Sequence, residues 1–381
     1  MKKPTPVHIL ISSAKNTADI RYLCGAEPPE TAVLIQTGLR GTLLVSEMEY
    51  NRLRRTVKRN VTVLHPEMIG SSWKKGAANW IKKCTEQKNL TVSADFPLGL
   101  AEKLKRAGYK VKIIDKALCP QREIKTADEI SAVQNAQRAA VAATKAAIKQ
   151  IASAEIGKDG LLRCGKIVLT SEIVRATICH TLLDRECIAE ETIVACGAHS
   201  ADPHERGTGP LRAGQPIVLD IFPRSAGRLR AQASDAGKSG YWGDITRTVC
   251  RGPASAELKK MYNAVKAAQT AALKAVKAGA WTDDVHAAAA GELDRRGYQT
   301  GTVDGIPQGF IHGTGHGVGL EIHEAPRVSS ANHQKLKAGN IITIEPGLYY
   351  PGLGGIRIED TILVTQTGYR MLAPCPKHFE I

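Results

Sequence analysis

Three stretches of apolar, β-favouring sequence each carry an acid: PIVLDIF at 216–222, IITIEPGLY at 341–349 and GGIRIEDTILVT at 354–365. A carboxylate inside a buried strand is costly unless it is paired or bound to a cation, so these acids restrict what the chain can fold into. Asp220 interrupts the first run. Glu345 closes the second, before Pro346 and Gly347 turn the chain away, and Glu359 stands mid-pattern in the third beside Arg357. A fourth acid, Asp244, sits at the mouth of a further strand in YWGDITRTV. Taken singly, each is accounted for by a salt-bridged or hydrogen-bonded core carboxylate.

Residues 310–326 read FIHGTGHGVGLEIHEAP, with His312, His316 and His323 set among glycines and Glu324 beside the last histidine. Glycine lets the backbone approach closely or take a positive φ. The pattern predicts a crowded site with room for an ion or a substrate, against a glycine-rich loop with solvated histidines. Four converging buried carboxylates would repel one another and take up protons unless a cation neutralises them. Oxygen donors with one imidazole suit Mn²⁺, Fe²⁺, Co²⁺ or Zn²⁺ rather than a thiolate-bound metal. Five such ligands suffice for two divalent ions about 3.5–4 Å apart, which share a hydroxide and clamp a hydrolytic transition state. The constellation predicts a dinuclear hydrolase.

Composition narrows the class. At 381 residues two domains are expected, and 43% hydrophobic with 23% charged residues describes a globular protein. No apolar run approaches the roughly 18 residues of a membrane span, and the patch Val7 to Ile11 is too short for a signal-peptide core, so a cytoplasmic protein is expected. Nine cysteines, an odd number without a C-x-x-C pair, argue against a disulfide framework or a zinc ribbon. The net charge of +15 raises nucleic acid as a partner, but the cations are dispersed and only 4% of residues are aromatic. Surface solvation is the expected meaning of the charge.

Residues 1–122 alternate strands (32–36, 41–45, 61–65, 90–93, 111–114) with helical patterns, as an α/β unit does. Ser46 with Glu49 has capping-box form, and Pro97 opens a helix that stops at Gly108. The connector LCPQR at 118–122 ends this unit. A second capping box, Thr126 with Glu129, opens the alanine-rich helix of the second domain, 123–381. Helical patterns recur at 161–183, 255–278 and 281–296 among glycine-rich strands.

Asp220, GDITRT, HGTGHGVGLEIHE, TIEPGLY and GIRIED together resemble the signature of the pita-bread (creatinase/methionine aminopeptidase-like) M24 metallopeptidases. DIRYLCG and VSEMEYNRL resemble the N-terminal domain of the Xaa-Pro aminopeptidase and Xaa-Pro dipeptidase (prolidase) branch, and REIKTADEI fits the same branch. The resemblance implies an α/β N-terminal domain and an α+β catalytic domain with an antiparallel sheet, flanking helices and a pseudo-twofold. It implies two divalent ions, manganese first. Asp220 would chelate one ion, Asp244 and Glu359 would bridge the pair, and His316 and Glu345 would hold the other. Glu345 would take the proton of the attacking water, and His323 would meet the substrate carbonyl or its oxyanion. His204, in ADPHERG, would shuttle protons or touch substrate, and His312 would line the proline side. Arg357 would orient the carboxylates from behind. The implied substrate is a peptide with proline second, and the implied assembly a homodimer without membrane association.

One departure stands out. Family members place about ten residues between the first two aspartates, the first in a D-x-G context, whereas Asp220 is followed by a longer connection carrying Arg224, Arg228, Arg230 and Lys238. Asp235, in DAGKSGYWGD, is the alternative first ligand; Asp220 is preferred for its place on the strand pattern. Two other readings share the fold: a catalytically silent protein binding RNA or another protein, and a methionine-aminopeptidase-like substrate variant. A creatinase-like, metal-free amidinohydrolase would have replaced most of the carboxylates.

Overall fold

The computed structural model describes residues 5–12, 17–26, 32–115, 117–226 and 239–381. One compact unit holds Met1–Arg122; a second holds Glu123–Arg228 with Gly240–Ile381.

The first unit is built on a six-stranded mixed sheet, with strands in the spatial order Val61–Leu64, Arg40–Leu44, Val33–Thr37, Val7–Ile11, Asn89–Ser93 and Lys110–Ile114. The five strand runs read from the sequence are all present within a residue or two. The Val7–Ile11 patch, weighed above only as a targeting segment, is a central strand of this sheet. It pairs antiparallel with Val33–Thr37 and parallel with Asn89–Ser93. Side chains alternate across a strand, so Ile9 packs with Trp80, Ile81 and Leu104 while Leu10 packs on the other face with Ile20, Cys24 and Leu53. Ser46 does hold the N-cap of helix Glu47–Leu53, but its side chain makes no cap bond. Glu49 turns to Arg52 instead (2.8 Å), so the expected capping box is not formed.

The second unit repeats one arrangement twice. Helices Ala127–Ala152 and Ser171–Leu183 back a three-stranded antiparallel sheet, Ile193–Cys196, Ile217–Ile221 and Ile245–Val249, around one apolar core. Helices Ala256–Ala275 and Thr282–Arg295 back the antiparallel strands Gly315–Gly317, Ile341–Ile344 and Asp360–Val364 around another. The Thr126–Glu129 capping box is complete, with both reciprocal bonds made. The pattern at 161–183 is not one helix. Strands Leu162–Cys164 and Ile167–Val168 turn at Gly165, whose φ of 61° breaks a helix, and the helix starts after Thr170, which caps Ile173. Among the described residues no helix is long and apolar enough to cross a membrane.

Candidate metal centre

Asp220 lies on Ile217–Ile221 opposite Thr246 of Ile245–Val249, and Asp244 precedes that second strand. The Asp244 backbone is fixed by Gln137 of the long helix. The Asp244 N–H donates to Gln137 Oε1 (2.7 Å), and Gln137 Nε2 donates back to the Asp244 carbonyl (2.8 Å). Gln137 sits four residues from both Val133 and Val141 on the apolar face of that helix, and a polar residue in such a row is the signal by which sequence alone would have found it.

His316 enters from the second half on the strand Gly315–Gly317, and Glu345 follows directly after Ile341–Ile344. The glycines beside His316 do not leave room for a ligand. A Cβ on Gly315 would lie 1.9 Å from the Thr343 carbonyl oxygen, and one on Gly317 2.3 Å from that of Ala325. Their space is taken by neighbouring backbone, so the close approach expected of glycine operates here, while the expected room for an ion or a substrate is not found beside them. Glu359 is also not mid-strand. It lies in the break between Gly354–Arg357 and Asp360–Val364, and its N–H donates to the Thr246 carbonyl (3.1 Å) of a strand in a different sheet.

These elements bring Asp244, His316 and Glu359 together, with ligand atoms within 4.8 Å of one another, all three buried. Glu345 Oε1 lies 3.2 Å from His316 Nε2, and Asp244 Oδ2 3.6 Å from the same nitrogen. The other ring nitrogen, Nδ1, faces the Gly317 carbonyl at 3.1 Å. A carbonyl only accepts, so Nδ1 carries a proton and Nε2 is the atom presented to the acids. Asp220 belongs to the same cluster through Arg357, whose Nη2 donates to Asp220 Oδ2 (2.6 Å). Arg357 Nε reaches Thr246 Oγ1 (3.3 Å), and that hydroxyl donates to Glu359 Oε2 (2.7 Å).

The electrostatics are those of too many acids in too little solvent. Burial first, then Glu359, Asp220 and Glu345, push the Asp244 carboxyl well above its usual range. Burial, Glu345 and Asp220 do the same to Glu359. Burial opposes the charge on Glu345 too, but the hydrogen bond and charge of His316, with His312 and Arg357, hold it down at about 2. Two buried oxygens, Asp220 Oδ1 and Glu359 Oε1, accept no hydrogen bond at all. Acceptors without donors, clustered with an imidazole nitrogen, are what a hard divalent cation satisfies, so the donor set fits the expected ions.

The remaining predicted residues fall around this cluster. The His323 ring stands edge-on to His316, centroids 4.3 Å apart, and burial together with His316 and Arg327 pushes it down to about 4. His204 is exposed, yet its charge registers at both His312 and His323. His312 differs from the simple picture of a pocket-lining ring. Its Nδ1 faces the Gly313 carbonyl (2.7 Å) and its Nε2 the Tyr349 hydroxyl (3.0 Å), to which Arg357 Nη1 donates (2.7 Å). Tyr349, buried and pushed up to about 12 chiefly by burial, was missed from the sequence although it stands in the TIEPGLY motif. Asp235, Arg228, Arg230 and Lys238 lie outside the described residues.

A constellation of this kind, on a helix-backed double sheet, defines a metal-dependent hydrolase. Comparison with known proteins carries this further: the profile of Metallopeptidase family M24 matches residues 131–366, and that of the Creatinase/Prolidase N-terminal domain matches residues 9–124. The chain belongs to metallopeptidase family M24, and membership implies divalent metal ions. It is similar to the Xaa-Pro dipeptidase of Pyrococcus horikoshii, 32% identical over 362 residues that cover 94% of this chain and 91% of the relative. The Xaa-Pro dipeptidase of Pyrococcus furiosus is 32% identical over 355 residues, 93% of this chain and 90% of the relative. The solved prolidase from Pyrococcus furiosus superposes with a TM-score of 0.80 at 28% identity, covering 98% of this chain and 97% of that one.

Proposed function

We propose that this metallopeptidase hydrolyses the Xaa-Pro bond at the amino end of peptides, as an Xaa-Pro dipeptidase or aminopeptidase. The observation that carries the reading is the joining of Asp244, His316 and Glu359 beside Glu345 and Asp220, with two acceptor oxygens left open. Similarity to named Xaa-Pro dipeptidases over more than nine-tenths of the chain points to the bond cleaved. An Xaa-Pro bond lacks the N–H that general peptidase clefts use, and it restricts the preceding residue, so it calls for a dedicated enzyme.

Asp220, Asp244, His316, Glu345 and Glu359 would hold two divalent ions, manganese in first place with cobalt, zinc and iron as alternatives. Bound there, the ions supply a nucleophile at neutral pH and polarise the scissile carbonyl. Glu345, anionic at working pH, accepts the proton of the attacking water. His323, neutral at that pH, faces the carbonyl oxygen and stabilises the charge that develops on it. His204 contacts substrate or carries the proton onward. His312, held by Tyr349, orients the proline side, while Arg357 keeps Asp220 in place. Residues 123–381 form the catalytic domain, with 1–122 a separate N-terminal domain, in a cytoplasmic homodimer.

A peptide-length series tests this: Xaa-Pro against Xaa-Pro-Yaa and longer, each with Mn²⁺, Co²⁺ and Zn²⁺. Cleavage after Xaa only when proline follows is the expected result. Intact Xaa-Pro peptides under every metal would refute it, and unchanged turnover in Asp244→Ala would refute the ligand assignment. A monomer by light scattering would remove the dimer.

A further inference from the structure

Alternation along Ile245–Val249 sends Thr246 and Thr248 to the side of the carboxylates, where Thr248 Oγ1 donates to the Arg357 carbonyl (2.9 Å). Arg247 points the opposite way and is 1% exposed. All five of its donors are used. Nε donates to the Pro376 carbonyl (3.0 Å); Nη1 to those of Thr246 (2.8 Å) and Glu359 (2.5 Å); Nη2 to Asp360 Oδ1 (2.6 Å) and the Cys375 carbonyl (2.8 Å). The second Asp360 oxygen takes Lys377 Nζ (2.6 Å) and Gln269 Nε2 (3.1 Å), and Gln269 Nε2 also reaches the carbonyl of Ile344, next to Glu345 (3.0 Å).

Glu359 is where this matters. Lying between two strands, it has no sheet partner of its own. Its N–H is held by the Thr246 carbonyl and its carbonyl by the Arg247 guanidinium. The peptide groups on both sides of its Cα thus depend on one strand residue and that residue's neighbour. The Cys375 and Pro376 carbonyls complete the cage in which the guanidinium sits, and Lys377 meets it through Asp360.

We infer that Arg247 is a positioning residue for Glu359, and that the segment 375–377, acting through Arg247 and Asp360, is a working part of the cation site. The inference rests on the ligand role given to Glu359 above. Lysine cannot replace the guanidinium, because three donors on a point charge cannot serve five acceptors in a plane. Lys377 acts on the same device from the other end and is the gentler variant.

The test uses metal-free full-length protein titrated with Mn²⁺ by calorimetry, with melting temperature read with and without Mn²⁺, and Xaa-Pro turnover. Arg247→Lys should weaken Mn²⁺ binding by about 10–100-fold, as loss of a residue behind a ligand does, and at both ions, since Glu359 would bridge them. It should also shrink the gain in melting temperature on adding Mn²⁺, and lower kcat with KM nearly unchanged. Lys377→Gln should show the same signature, smaller. Equal lowering of melting temperature with and without Mn²⁺, at wild-type affinity and kcat, would mean a merely structural arginine and would overturn the inference. If Arg247→Lys does not fold, Lys377→Gln decides alone, and wild-type Mn²⁺ affinity and kcat in it are the overturning result. Wild-type protein that binds no Mn²⁺, Co²⁺ or Zn²⁺ would instead overturn the function proposed above.

Discussion

The ammonium of Lys125 lies 2.5 Å from Glu324 Oε1, and the two side chains are only 2% and 7% exposed. Glu324 follows His323 and pairs across the sheet with Gly317, next to His316. The Lys125 N–H is itself tied to the Gly339 carbonyl (2.9 Å). A buried ion pair thus anchors the start of the strand Glu324–Val328, directly after His323.

Removing one member of a buried ion pair costs about 3–5 kcal/mol. Lys125→Met should lose stability on that scale in urea unfolding, and Lys125→Met with Glu324→Leu should recover much of it, since an apolar pair of similar volume is often neutral. A loss below about 1 kcal/mol, the level of an exposed pair, would show that the pair carries little.

Metal removal should interact with pH. The raised carboxyls of Asp244 and Glu359 keep protons in the metal-free fold that the unfolded chain has already released. Metal-free stability therefore falls as pH rises above the ordinary carboxylate range of about 4 towards those raised values. Cation binding displaces the same protons. The gain in melting temperature from Mn²⁺ over EDTA should be larger at pH 8 than at pH 5.5, and calorimetric heats should depend on buffer ionisation. Binding without proton release would contradict the raised carboxyls.

Asp244→Asn should cut both ways. The amide removes a buried charge crowded by Glu359, Asp220 and Glu345 while leaving the backbone bonds with Gln137 and the Thr361 hydroxyl. At pH 8 without metal the variant should be more stable than wild type, because the carboxyl is held well above its usual range by burial and its neighbouring acids. Turnover should vanish. A variant no more stable than metal-free wild type would mean that Asp244 is not electrostatically strained.

His323→Gln should lower kcat by about 10²–10³, the loss seen when an oxyanion donor is removed. His323 is depressed to about 4, so between the unfolded value near 6.5 and 4 an unfolded chain takes a proton that the folded ring refuses. Its contribution to stability is complete above about 6.5 and is lost as pH falls through that window. The variant should flatten the wild-type slope of stability against pH there. An unchanged slope would place the ring in solvent.

What could be read from the chain was what local pattern encodes. Asp220, Asp244 and Glu345 fall where the apolar strand runs put them, and the Thr126 cap and the helix after it follow from residues within one turn. What could not be read depends on partners far along the chain. Arg357 meets Asp220 across 137 positions, a contact that only the family resemblance implied, and Thr246 meets Glu359 across 113. Glu359 looks like a strand residue because its neighbours are apolar and β-branched, but its N–H is claimed by Thr246 from another sheet. That the glycines around His316 admit backbone rather than an ion or substrate was hidden for the same reason: the carbonyls that fill their space belong to Thr343 and Ala325, in adjoining strands.

Asp220 and Asp244 belong to the first helix-backed sheet of the second unit, while His316 and Glu345 belong to the second such sheet. With Glu359 also in the second half, the proposed ligands are divided two and three between the halves. A nascent chain that has completed only the first half carries two of the proposed acids and no imidazole to join them, so the proposed site is complete only once residues up to Glu359 have joined. On the proposed ligand set, filling of the complete site is then a record of finished assembly of both halves.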